Sequence, residues 1–142
     1  MKNVMIIRLI MIIVVALLPL TTPPALAGNT DPLFINLTSD DGHRSEMALG
    51  FGMNQLIRGH KLTVYLNDHA VRLATTANKD AFATQQKMLG DLVAKGATIY
   101  VCPSCMKYYG VPASDLLPGL KVSSPELSGA ALFEANTKTL SW

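Results

Sequence analysis

The chain has 142 residues, of which 49% are hydrophobic and 15% charged, with 12 Lys and Arg against 10 Asp and Glu. That length fits one ordinary domain with a core of its own. The charge balance offers no lysine or arginine cluster of the kind that binds nucleic acid.

The first residues read as a targeting segment. Lys2 and Arg8 give a positive start, Leu9 to Leu18 is apolar, and Ala25-Leu26-Ala27 forms a small-residue cleavage box before Gly28. This is the pattern of a Sec-type secretory signal peptide over residues 1–27, with the domain at 28–142 and the periplasm as the expected destination. A retained anchor is the competing reading. The apolar stretch from Met5 to Leu20, with only Arg8 charged, falls just short of the roughly 20 residues that span a bilayer, so no stable membrane anchor is expected after cleavage. Removal of Lys2 and Arg8 leaves ten basic and ten acidic residues, a neutral domain of the kind that often self-associates.

Along the mature chain, Leu33 to Thr38 reads as a buried strand, and Ser39 to His43 as a turn rich in helix N-cap candidates. From Arg44 to Arg58 the spacing of Leu49, Met53, Leu56 and Ile57 predicts a helix, with Gly50 and Gly52 permitting close packing on the sheet. Gly59 ends it and Lys61 to Asn67 is the second strand. Asp68 to Thr76 reads as a loop or short helix, Asp80 to Lys95 as a helix with Phe82, Leu89, Leu92 and Val93 on one face, and Gly96 as its stop. Ala97 to Val101 is the third strand, Met106 to Tyr109 a helical turn closed by Gly110, and Leu120 to Val122 a short strand. Pro125 opens a helix to about Ala135, and Thr137 to Trp142 is a last strand. Strand–helix alternation with short loops predicts an α/β domain, a mostly parallel sheet of about five strands with helices on both faces. Ligands of such sheets sit outside the carboxyl ends of the strands, which here means the loops Ser39–Arg44, Asn67–Val71 and Cys102–Lys107.

The third of these loops holds both cysteines of the chain, in Cys102-Pro103-Ser104-Cys105. Cys102 closes a strand, Pro103 suits the first helical position because it lacks an N–H, and Cys105 lies one helical turn on. Backbone N–H groups and the helix dipole favour a thiolate there, the form that attacks sulfur. In an oxidising compartment two cysteines ordinarily mean a structural disulfide, but a bridge across two residues constrains the unfolded chain little. Redox or sulfur chemistry fits better. Zinc would need two further ligands, which no His-x-His or second Cys pair supplies, so no metal is expected.

His43 and His69 belong to the loops at the same edge and are candidate binding residues that act as a base or polarise a thiol, against the default of a surface histidine without a role. His60 lies at the opposite end. Asp40 and Asp41 read as caps and solvated charges before a catalytic pair. Tyr108 and Tyr109 either wall the site or pack between subunits, and Trp142 could do the same. Two acids in Thr38-Ser39-Asp40-Asp41-Gly42 argue against a flavin or nucleotide phosphate, so no cofactor is expected.

The ordered set of Arg44 to Leu66, Asp68-His69-Ala70-Val71, and Val101 to Val111 with its two cysteines resembles the DsrE/DsrF-like family of small sulfur-handling proteins over nearly the whole mature chain. The resemblance implies a flavodoxin-like three-layer sandwich that assembles as a homo- or hetero-oligomer, commonly a trimer or hexamer. It also implies a role as sulfur carrier or sulfurtransferase, in which Cys102 holds sulfane sulfur as a persulfide and passes it from a donor to an acceptor thiol or protein. Cys105 and the signal peptide depart from the simplest family pattern. Two other readings stand beside this one: a thiol–disulfide oxidoreductase that uses Cys102 and Cys105, and a non-catalytic oligomeric binding module.

Overall fold

The computed structural model describes residues 28–142, so the predicted signal peptide lies outside the described residues. Five strands form one sheet: β1 (Leu33–Leu37), β2 (Leu62–Leu66), β3 (Thr98–Val101), β4 (Lys121–Val122) and β5 (Lys138–Ser141). Their order across the sheet is β4-β3-β2-β1-β5, and every pairing is parallel. Four helices connect them: α1 (Gly42–Ile57), α2 (Ala83–Ala94), α3 (Pro103–Tyr109) and α4 (Pro125–Leu132). Two 3-10 segments, Asp68–Ala74 and Thr76–Asn78, fill the span read as loop or short helix.

The order of the strands dictates where the helices go. From β1 through β4 the chain steps in one direction, so right-handed crossovers keep its connections on one side of the sheet. On that side α1 and α2 pack against each other, and Met106 of α3 joins the core cluster. To reach β5 the chain must travel back past three strands, and the same handedness carries α4 to the other side. There Pro125, Ser128 and Leu132 stand over Phe34, Asn36 and Tyr65.

The first side is the core. Ile35, Leu37, Val64, Leu66, Ile99 and Val101, alternate residues of the three central strands, are fully buried under the two long helices. The second side alternates differently: Phe34 and Thr63 are buried and Asn36, Tyr65 and Tyr100 half-buried, all of them aromatic or polar.

Local signals set the helix ends. Asp41 caps α1, its Oδ1 accepting the Arg44 N–H at 2.9 Å. Gly59 and Gly96 follow α1 and α2 with φ of +97° and +93°, and Gly110 ends α3 in the left-handed conformation. Two expectations need correction. The buried stripe of α1 is Ser45, Ala48, Leu49 and Gly52, and Ile57 is 65% exposed. The helix is rotated so that Gly52, with no side chain, meets Ile35 and Leu62 on the sheet. Helix α2 begins at Ala83, not Asp80, because the Ala81 and Phe82 N–H groups both turn back onto the Asn78 carbonyl. Its face also carries the buried amides of Gln85 and Gln86, the latter donating to the Thr75 carbonyl at 2.8 Å.

Candidate functional site

The connections after β3 and β4 leave for opposite sides of the sheet, and in open α/β sheets the carboxyl edge at such a point is the usual ligand position. Cys102 stands at that edge. Its N–H donates to the Leu66 carbonyl at 2.9 Å, tying it to the end of β2, while the Ser123 N–H donates to the Val101 carbonyl at 2.9 Å from the β4 side. Cys102 is the N-cap of α3 with Pro103 next, and its Sγ accepts the Cys105 N–H at 3.4 Å.

Both cysteines are free and half-buried. Burial pushes the Cys102 thiol up, but hydrogen bonds from the Cys105 thiol, the Tyr65 hydroxyl and the N–H groups of Cys105 and Ser104 outweigh it, so Cys102 ionises below the ordinary thiol range. Burial pushes Cys105 up, and the neighbouring Cys102 pushes it further, despite the Asp68 N–H directed at its sulfur. The pair is therefore unequal: Cys102 ionises more readily than Cys105, whose thiol donates to it. Burial also raises Tyr65, so its hydroxyl keeps its proton and can only donate toward a Cys102 anion.

Around Cys105 lies a shallow bowl of about 410 Å³ lined by Asn67, Asp68, Ser104, Tyr108 and Tyr109. Asp68 adopts φ of +48°, a left-handed conformation uncommon for a residue with a side chain. It accepts a hydrogen bond from the Tyr109 hydroxyl. That bond pushes Tyr109 up to about 12.

His69 is brought to this neighbourhood: its ring lies 4.9 Å from that of Tyr109, which also takes the Arg72 guanidinium over its face at 5.9 Å. Arg72 in turn pairs with Asp40 at 3.0 Å. His43 stands exposed in the first turn of α1, and none of the hydrogen bonds or ring contacts among the described residues joins it to the cysteines. Of the two acids before α1, Asp41 is the cap and Asp40 the partner of Arg72. Tyr109 walls the bowl and Tyr108, 82% exposed, stands at its rim. His60 binds the Asp31 carbonyl at 2.8 Å at the far end of the sheet. Trp142 packs beside Phe51 with ring centres 5.9 Å apart, away from the thiols.

Sequence reasoning missed Tyr65, and it placed Asn67 and Asp68 in an edge loop without singling them out. Tyr65 pairs with Tyr100 across β2 and β3, and Cys102 follows two residues on, so Tyr65 is its diagonal neighbour on the second face. Alternation along Leu62–Leu66 could have put Tyr65 on that face, but only the register puts it beside Cys102.

A model of the DsrE/DsrF-like family matches residues 32–135. An uncharacterized protein of Methanocaldococcus jannaschii is 27% identical over 82 residues, covering 57% of this chain and 72% of that protein. Among solved structures, a protein of unknown function from Methanobacterium thermoautotrophicum superposes with a TM-score of 0.67 at 14% identity, covering 79% of this chain and 99% of its own. The ychN protein of E. coli gives 0.63 at 16% identity, covering 80% and 99%. A conserved protein of unknown function from Bacteroides thetaiotaomicron gives 0.64 at 24%, covering 83% and 99%. At these identities the structures establish the shared fold.

Proposed function

The chain belongs to the DsrE/DsrF-like family, and from that membership together with its unequal pair of thiols we propose that it is a sulfur carrier, holding sulfane sulfur as a persulfide on Cys102 and passing it to an acceptor thiol. The observation that carries this reading is the depressed Cys102 thiol, half-exposed at the carboxyl edge of the sheet with N–H groups and a tyrosine hydroxyl directed at its sulfur. The Cys102 thiolate attacks the outer, sulfane sulfur of a donor. A new S–S bond forms on Cys102 as the donor's S–S bond breaks, and the donor leaves as a thiolate with the electron pair. An acceptor thiolate then takes the outer sulfur by the same displacement, returning Cys102 to its starting state.

Cys105 adds a branch. Its thiol lies beside Cys102, so after losing its proton it can attack Cys102 Sγ, expel hydrosulfide and leave a Cys102–Cys105 disulfide, which an external dithiol must reduce before another cycle. The same adjacency favours the second reading, thiol–disulfide exchange with protein partners. We further propose that the carrier works in the periplasm, delivered by cleavage after Ala27, and that it assembles as a homo-oligomer, a trimer or hexamer.

The test is delivery. The protein is loaded with inorganic polysulfide, freed of excess reagent and treated with cyanide, which converts sulfane sulfur to thiocyanate. The expected yield approaches about one thiocyanate per chain in Cys105→Ser and none in Cys102→Ser. A wild-type protein and a Cys105→Ser variant that both yield none, while the wild type oxidises reversibly to a disulfide, would transfer the assignment to the oxidoreductase.

A further inference from the structure

The second face of the sheet carries a groove of about 530 Å³ beneath α4, running across β2, β1 and β5. Its volume lies in the range of small-molecule sites. Phe34 and Tyr65 lie in its floor, Leu132 and Phe133 in its wall, and no residue that lines it carries a charge at neutral pH. Phe133 is 84% exposed, a large apolar side chain left at the rim.

Two contacts join this groove to the sulfur site. Tyr65 lines the groove and is the diagonal neighbour of Cys102 across β2 and β3. Asn36, also in the lining, accepts a hydrogen bond from the amide of Asn67, the next position along β2 after the strand ends and level with Cys102. The end of the groove marked by Tyr65 and Asn36 therefore lies one side chain from the reactive thiol, which is not itself in the lining. Ionised groups would lose water there with no opposite charge to meet them, whereas an apolar group gains by covering Leu132 and the exposed Phe133.

We propose that this groove binds the organic group of a small organic persulfide, R–S–SH with R uncharged and apolar, and so selects the sulfur donor. The proposal rests on Cys102 being the sulfur-bearing residue. In the step it serves, the Cys102 thiolate bonds to the outer sulfur of R–S–SH, the S–S bond of the donor breaks, and RS⁻ departs with the electron pair while the proton stays on the transferred sulfur. No external oxidant or reductant enters.

Gly129 permits a clean test. It lines the groove from within α4, and a Cβ built on it meets nothing within 4 Å. Gly129→Leu thus fills the groove while improving helix propensity, and Gly129→Ala serves as the control for folding. Loading of Cys102 is followed by mass with three donors: benzyl persulfide, glutathione persulfide and inorganic polysulfide. The wild type is expected to load from benzyl persulfide about tenfold faster than from the charged glutathione persulfide. Gly129→Leu should lose about that factor with benzyl persulfide, the factor that corresponds to displacing a partly buried aromatic group, while loading from polysulfide is unchanged.

Equal slowing with benzyl persulfide and polysulfide, or no slowing with either, overturns the proposal. So does a change in oligomeric state on Gly129→Leu, because a second copy of the chain then occupies the groove. If the wild type takes no sulfur even from polysulfide, the carrier reading fails and this inference falls with it. Loading from polysulfide with no preference among the organic donors removes the groove alone.

Discussion

Replacing the two glycines of α1 separately tests the close approach of that helix to the sheet. A Cβ at Gly50 meets only Met88 Cε at 3.8 Å, an ordinary contact. Gly50→Ala should therefore gain the helix-interior advantage of alanine, about 0.5–1 kcal/mol. A Cβ at Gly52 falls 3.0 Å from Ile35 Cδ1 and 3.1 Å from Leu62 Cδ2. Ile35 is fully buried and Leu62 is 1% exposed, so neither can swing aside without moving its own neighbours. Overpacking of that kind costs about 1–3 kcal/mol, which outweighs the propensity gain and leaves Gly52→Ala about 1 kcal/mol less stable than the parent. In a domain of this size that lowers the melting temperature by about 4 °C. Urea denaturation followed by circular dichroism measures both variants. Gly52→Ala gaining as much stability as Gly50→Ala would refute the packing argument, because the two changes would then differ in nothing that matters.

Three further outcomes concern the site. Tyr65→Phe, made in a Cys105→Ser background, removes a donor that favours the Cys102 anion, so the pH profile for alkylation of Cys102 by iodoacetamide should move to higher pH; an unmoved profile means that Tyr65 does not act on the sulfur. Asp68→Ala removes the acceptor that pushes Tyr109 up to about 12, so the ultraviolet titration of that tyrosine should return toward its ordinary value near 10, and an unchanged titration denies the Asp68–Tyr109 bond. The same raised value has a sign for stability. The folded state holds the Tyr109 proton more tightly than the unfolded state, so this contribution is complete below about pH 10 and fades as pH rises through about 12, and the pH dependence of unfolding in that window should flatten in Tyr109→Phe.

What the sequence made legible was local. Asp41 as a cap, Pro103 at the first turn of α3, and Gly59, Gly96 and Gly110 as stops each follow from the residue and its immediate neighbours. The place of Cys102 at the carboxyl edge followed from counting strands. Long-range relations were not readable in the same way. Strand β5 pairs with β1 although Thr38 and Trp142, which hydrogen-bond just beyond that pair, lie 104 positions apart in the chain. Tyr65 reaches Cys102 only through the register of β2 against β3. His43 and His69 looked equivalent as members of edge loops, yet Tyr109 stacks beside His69 while His43 faces solvent. The left-handed backbone of Asp68, at the start of the 3-10 segment on which α3 packs, has no signal in its residue type strong enough to announce it.

The central claim is that Cys102 carries the sulfur and Cys105 governs how long it stays. Intact mass after brief exposure of the reduced protein to polysulfide tests it most directly, read beside Cys102→Ser and Cys105→Ser. The account predicts a gain of about 32 Da in Cys105→Ser that persists, a gain in the wild type that decays to the disulfide with release of sulfide, and no gain in Cys102→Ser. A stable adduct in Cys102→Ser equal to that of Cys105→Ser would contradict it.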